Sequence, residues 1–144
     1  MLAAAAASLD AMSTLNLETA SRLIAAGQET ARELGVRVHI AVVDPAGNLV
    51  AFQRMDGAWL GSLDVALRKA RTSALFPVPS SMIGEMSQPG GPIYGVESTN
   101  GGLVSFGGGL PLATADGAVV GAIGVAGGLV EQDVAVAEAA TKAL

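Results

Sequence analysis

The sequence predicts an α+β domain in which an antiparallel sheet of about five strands is sandwiched by helices. Three observations carry that expectation. Apolar residues recur at three- and four-residue steps in stretches at the start, middle and end of the chain. Between them lie β-branched runs joined by tight turns, which make neighbouring strands antiparallel. The length, 144 residues, suits one hydrophobic core and is short for two.

The elements follow in order. Asn16 is placed to cap a helix whose stripe is Leu17, Ala20, Leu23, Ile24, Gln28, Ala31 and Leu34, and Gly35 stands where a C′ glycine ends a helix. Residues 36–43 read as a strand, 44–48 as turn chemistry, and 49–55 as the returning strand. Residues 62–76 show a second helical stripe, closed by Pro77 and Pro79. Residues 80–102 form a long connection with a helical turn at 81–86, the kind of insertion that usually has a task. A short strand at 103–106, a glycine kink, an extended stretch at 110–112, a turn at 114–117 and a strand at 118–126 come next. A helix over 131–144 ends the chain, with Val130, Val134 and Ala137 expected inward. Residues 1–13 read as an N-terminal extension with helical character, and 14–144 as one domain.

Composition excludes much. With no cysteine there are no disulfides, thiolate metal sites or cysteine nucleophiles, and one histidine leaves no His-rich metal cage. A net charge of −5 argues against nucleic acid as a partner. The apolar start is too short and too soon broken by Ser8 and Asp10 to span a bilayer or to read as an export signal, so no membrane partner and a cytoplasmic location are expected. Only 15% of residues are charged against 51% hydrophobic, more apolar surface than a small interior hides. A homo-oligomer, tetramer to octamer, is expected.

Four constellations bear on chemistry. Arg54 and Asp56, two apart at a strand end before Gly57, offer a carboxylate-binding fork beside an acid/base group, or simply an ion pair at a turn. Lys69 shares a helical turn with the inward-facing Ala66 and Ala70, so its ammonium can reach a buried carboxylate or a ligand, whereas Arg68 and Arg71 read as a solvated face. Gly108 and Gly109 before Leu110, and Gly127 and Gly128 before the last helix, can turn main-chain amides toward a ligand. Glu131 and Asp133 occupy that helix's first turn and compete with an anion there, and no nucleotide-binding loop is present. His39, on the first strand, is either a ligand to a guest or a structural histidine. Trp59, Phe76, Tyr94 and Phe106 either line a flat pocket or serve as core and interface anchors.

Taken together, residues 38–44 with Gly47, the run from Arg54 to Ala58, Arg68-Lys69-Ala70, Gly108-Gly109-Leu110-Pro111, residues 121–128 and Glu131-Gln132-Asp133 resemble the GlcG/HbpS family, which includes the C-terminal domain of PduO-type proteins. The resemblance spans residues 17–143 and implies a profilin-like sheet, higher oligomers and, in some members, haem binding. It also marks departures. Leu110 stands where the secreted haem-binding branch can carry an iron-ligating threonine. Asp64 and Arg68 occupy the region of that branch's acidic iron-binding motif. His39 lies one strand after the ligand histidine of PduO-type domains.

Three functions are therefore expected in order. The first is an oligomeric binding protein for haem or a related planar, carboxylate-bearing ligand, held by His39, Arg54, Lys69, Gly108, Gly109, Leu110, Gly127 and Gly128. The second is a cofactor-independent lyase, isomerase or hydratase in a catabolic pathway, with Arg54 and Lys69 binding a carboxylate and Asp56 and Glu131 moving protons. The third is an oligomer with no ligand. No metal site is expected apart from haem.

Overall fold

A computed structural model describes residues 15–144. The expected extension at residues 1–13 lies outside the described residues. The elements are α1 (Leu17–Leu34), β1 (His39–Val43), β2 (Leu49–Arg54), α2 (Ser62–Leu75), α3 (Ser80–Met86), a 3₁₀ turn (Val96–Ser98), β3 (Gly109–Ala113), β4 (Val119–Ala126) and α4 (Val130–Thr141). All strand pairs are antiparallel, in the order β2-β1-β4-β3. The fold is α+β, with α2 on one face of the sheet and α1 with α4 on the other.

The sheet has four strands among the described residues, one fewer than expected. Residues 103–106 are not a strand because their amides are committed elsewhere. The Leu103 N–H donates to the Glu97 carbonyl (2.9 Å) and that of Val104 to Thr72 Oγ1 (3.2 Å). The segment is tied to the long connection and to α2, not to a neighbouring strand.

Local signals work as their chemistry requires at α1. Asn16 Oδ1 accepts the Thr19 N–H at 2.8 Å, and Gly35 closes the helix at φ 72°. In the β1–β2 turn, Asp44 Oδ1 accepts the N–H groups of Ala46 (3.0 Å) and Asn48 (2.9 Å).

Strand alternation sorts the core into two halves. Ile40, Val42, Ile123 and Val125 pack with Leu23 and Ile24 of α1 and with Val136, Ala137 and Ala140 of α4. Ala41, Val43 and Ala122 pack with Ala70 and Ala74 of α2. The second half is made of small residues, so α2 rides very close to the sheet. A Cβ on Gly124 would stand 2.1 Å from the Ala66 carbonyl oxygen, and one on Gly109 would stand 2.4 Å from that of Lys69. On α4 the inward face is Asp133, Val136, Ala137 and Ala140, while Val130 is exposed. The expected stripe is rotated because a carboxylate, not a valine, points in at the first turn.

Candidate functional site

Sheet register gathers the expected site residues at one end of the molecule. Arg54, His39 and Ala126 stand in one row across β2, β1 and β4. Gly127, Gly128 and Glu131 follow directly on β4, and the Gly108 carbonyl accepts the Val125 N–H at 2.9 Å. Within that end the structure makes two different environments.

The first is sealed. Lys69 leaves α2, is wholly buried, and donates from Nζ to the Val125 carbonyl (2.8 Å) and to Asp133 Oδ2 (3.0 Å). Asp133 Oδ1 accepts the Gly128 N–H at 2.8 Å. The Phe106 ring lies over the ammonium, 4.9 Å from Nζ to the ring centroid. Burial pulls Lys69 below the ordinary lysine value, and the charge and hydrogen bond of Asp133 act against that pull. Burial likewise pushes Asp133 above the ordinary carboxylate range, against the charge of Lys69 and the hydrogen bonds it receives.

This pair explains the glycine kink. A Cβ on Gly108 would fall 2.5 Å from the Val125 carbonyl and 2.7 Å from Lys69 Nζ, at φ 125°. A Cβ on Gly107 would meet Val134 at 2.6 Å. The space beside Gly108 and Gly109 is thus filled by protein, and Leu110 packs on the hydrophobic core. The Gly128 amide is directed at Asp133.

The second environment is open. A cavity of about 550 Å³ is lined by Arg32, Gly35, Val36, Arg37, Arg54, Met55 and Asp56. Arg32 comes from the last turn of α1, Arg37 from the link to β1, and Arg54 from the end of β2. The hairpin brings them together: Met55 N–H donates to the Val38 carbonyl (3.0 Å), and Arg37 Nη1 donates to the Asp56 carbonyl (2.7 Å). Neither Arg32 nor Arg54 has a side-chain hydrogen bond or ion pair among the described residues, whose two ion pairs are Arg68–Asp64 and Lys69–Asp133. Three arginines lining one hollow, with one aspartate beside them, suit an anionic guest.

The expected residues divide accordingly. Arg54 and Asp56 share the open cavity, whereas Lys69 is sealed behind Phe106 and Glu131 is exposed on the first turn of α4. His39 is fully buried. Its Nε2 lies 2.8 Å from the Trp59 carbonyl, which only accepts, so Nε2 carries the proton, while Nδ1 has no partner. The ring stands 5.7 Å from Phe52. Trp59 and Tyr94 are exposed. Arg68 and Arg71, expected to face water, tie α2 to the long connection through the carbonyls of Gly101, Gly102 and Asn100. Among the described residues no three His, Asp or Glu side chains form a metal-holding group, and no helix is long and apolar enough to cross a membrane.

Sequence reasoning did not single out Arg32 or Arg37. The hairpin register held the signal: pairing His39 with Arg54 places residue 37 opposite residue 56 by simple continuation. It also left open which carboxylate Lys69 meets, because Asp133 lies 64 residues away on a helix of the opposite face.

Residues 15–142 match the family described as "Haem degrading protein HbpS-like". A protein of Citrobacter freundii described as an uncharacterized 15.0 kDa protein in the dhaT-dhaS intergenic region is 42% identical over 130 residues, covering 90% of this chain and 91% of its own. The crystal structure of Klebsiella pneumoniae protein ORFY superposes with a TM-score of 0.86 at 38% identity, covering 90% of this chain and 89% of that one. That of a PduOC–haem complex superposes with a TM-score of 0.84 at 35% identity, covering 90% and 94%.

Proposed function

The chain belongs to the HbpS-like family, and from that premise we propose that it is an oligomeric binding protein for haem or a related planar, carboxylate-bearing ligand. The observation that carries this reading is the cavity of about 550 Å³ on which Arg32, Arg37 and Arg54 converge, two of them with no partner among the described residues. The volume is that of a small-molecule site. The haem bound to a structure so similar over most of its length supports the same reading.

The residues present fit the carboxylate side of a haem. Arg32 and Arg54 would hold the propionates, and Val36 and Met55 would lie against the macrocycle. His39 does not line this cavity, and its Nε2–H is engaged by Trp59. Leu110 offers no donor. When bound, haem would supply redox and oxygen chemistry at its iron; the protein's share is to bind and orient it.

Exposed Leu60 (77%), Tyr94 (70%) and Leu17 (63%), none of which lines either hollow, support the oligomeric part of the proposal, since side chains of this kind are normally covered. Light scattering in solution reads the subunit number.

Haemin titration tests the ligand. A shifted Soret band saturating at one haemin per chain is expected, with Arg54→Ala weakening affinity about tenfold, the effect of losing one charge-assisted contact. No spectral change at stoichiometric haemin overturns the reading.

A further inference from the structure

A second hollow, about 390 Å³, lies beside the arginine cavity and is lined by Gly35, Val36, Arg37, Gly57, Trp59, Gly127, Gly128, Leu129 and Gln132. Gly35, Val36 and Arg37 belong to both walls. We propose that the two hollows are lobes of one trough divided by the Arg37 side chain, and that a ligand with a carboxylate end and a flat aromatic or macrocyclic body occupies both once Arg37 swings aside. This deepens the reading above and rests on it.

Arg37 is built to move. Its only hydrogen bond among the described residues is the one from Nη1 to a neutral carbonyl, that of Asp56, at 2.7 Å. The guanidinium lies against the bare Cα of Gly57, where a Cβ would stand 3.2 Å from Nη1. An exposed, flexible side chain held by one such bond is displaced at small cost.

Trp59 is anchored through its backbone. The residue is 80% exposed, yet its carbonyl is held at 2.8 Å by Nε2 of the fully buried His39. A large ring on a pinned backbone offers a flat face on which a planar guest can stack. The trough is therefore graded. Arg32, Arg54 and Asp56 line one end, Trp59 and Leu129 the other, and Arg37 stands between them. A small dicarboxylate fills the first lobe only. A porphyrin-sized dicarboxylate engages both.

The test uses the full chain with protoporphyrin IX, its affinity and association rate read by absorbance and stopped flow. Trp59→Ala is expected to weaken binding about tenfold, with Trp59→Phe restoring most of it because the flat face returns. Arg37→Ala is expected to speed association several-fold, whereas Arg54→Ala does not. Circular dichroism on each variant reports folding, and the 80% exposure of Trp59 leaves little for its removal to unfold. Wild-type protein that binds porphyrin with unchanged affinity in Trp59→Ala and unchanged rate in Arg37→Ala overturns the trough and leaves the arginine cavity standing. Wild-type protein that binds neither protoporphyrin IX nor haemin overturns both.

Discussion

Two groups of cations sit at the same end of the sheet and do opposite things. Lys69 is wholly buried, bonded to Asp133 and the Val125 carbonyl, and capped by Phe106. Arg32, Arg37 and Arg54 line an open cavity, and no carboxylate pairs with any of them among the described residues. A positive charge that protein has already satisfied holds architecture together, here joining the helix on one face of the sheet to a helix on the other. Charges left unsatisfied around a hollow are available to a guest. The difference is one of partners, since all are ordinary cationic side chains.

The comparison breaks most visibly at the sealed pair. Asp133→Ala leaves Lys69 buried and uncompensated, and a loss of about 3–5 kcal/mol is expected, read as a drop in the urea midpoint. Replacing both partners at once, Lys69→Met with Asp133→Leu, is expected to recover most of that loss. Recovery to no more than the single variant's stability would show that the pair does more than satisfy itself.

Close packing under Lys69 gives the next effect. Gly124→Ala inserts a methyl 2.1 Å from the Ala66 carbonyl oxygen and 2.5 Å from the Ala70 nitrogen. Moving α2 away is expected to cost about 1–3 kcal/mol, and thermal unfolding checks it. At the open cavity, by contrast, Arg54→Ala is expected to stay within about 0.5 kcal/mol of the parent, as surface substitutions do. Unfolding curves of the two variants side by side sharpen the contrast between packed and unpartnered positions.

The pH dependence follows from the same pair. Burial places the folded Lys69 below its ordinary 10.5, so the unfolded chain binds the proton more tightly. Stability therefore rises as pH climbs from the folded value toward 10.5. In Asp133→Asn the opposing charge is gone and the rise should begin at lower pH, which urea midpoints in a pH series measure. A local effect of the same sign, in the acid range, belongs to Glu97. Hydrogen bonds from Ser105 and Ser87 hold its carboxyl below the ordinary 4.5, so its tie to the long connection is present above 4.5 and lost as pH falls through the folded value. Faster acid-protease cleavage within residues 87–105 is the expected sign.

Much of the fold was legible in residue order. The Asn16 cap, the Gly35 stop, the 44–48 turn and the 114–117 turn are local chemistry, and each helix and strand they bound formed within a few residues of its expected limits. Residues 103–106 were misleading because a short, largely apolar run does not say which acceptors its amides will reach. The final helix misled for a related reason. Periodicity put Val130 inward, but the buried face begins at Asp133, which bonds Lys69, and continues through Val136, Ala137 and Ala140.

The candidate site divides along the same line. Arg54, Asp56 and Lys69 drew notice from their own neighbourhoods in the chain, where a strand end and an inward helical face are visible from spacing alone. Their roles were not visible there. Backbone hydrogen bonding, turn geometry and side-chain period act over a few residues, so the chain order alone determined the elements and their antiparallel joins. Only the packed molecule decided that Lys69 would meet a carboxylate 64 residues away while three arginines from separate elements met none. Burial and charge pairing are properties of what comes close in space, and spacing along the chain does not encode them.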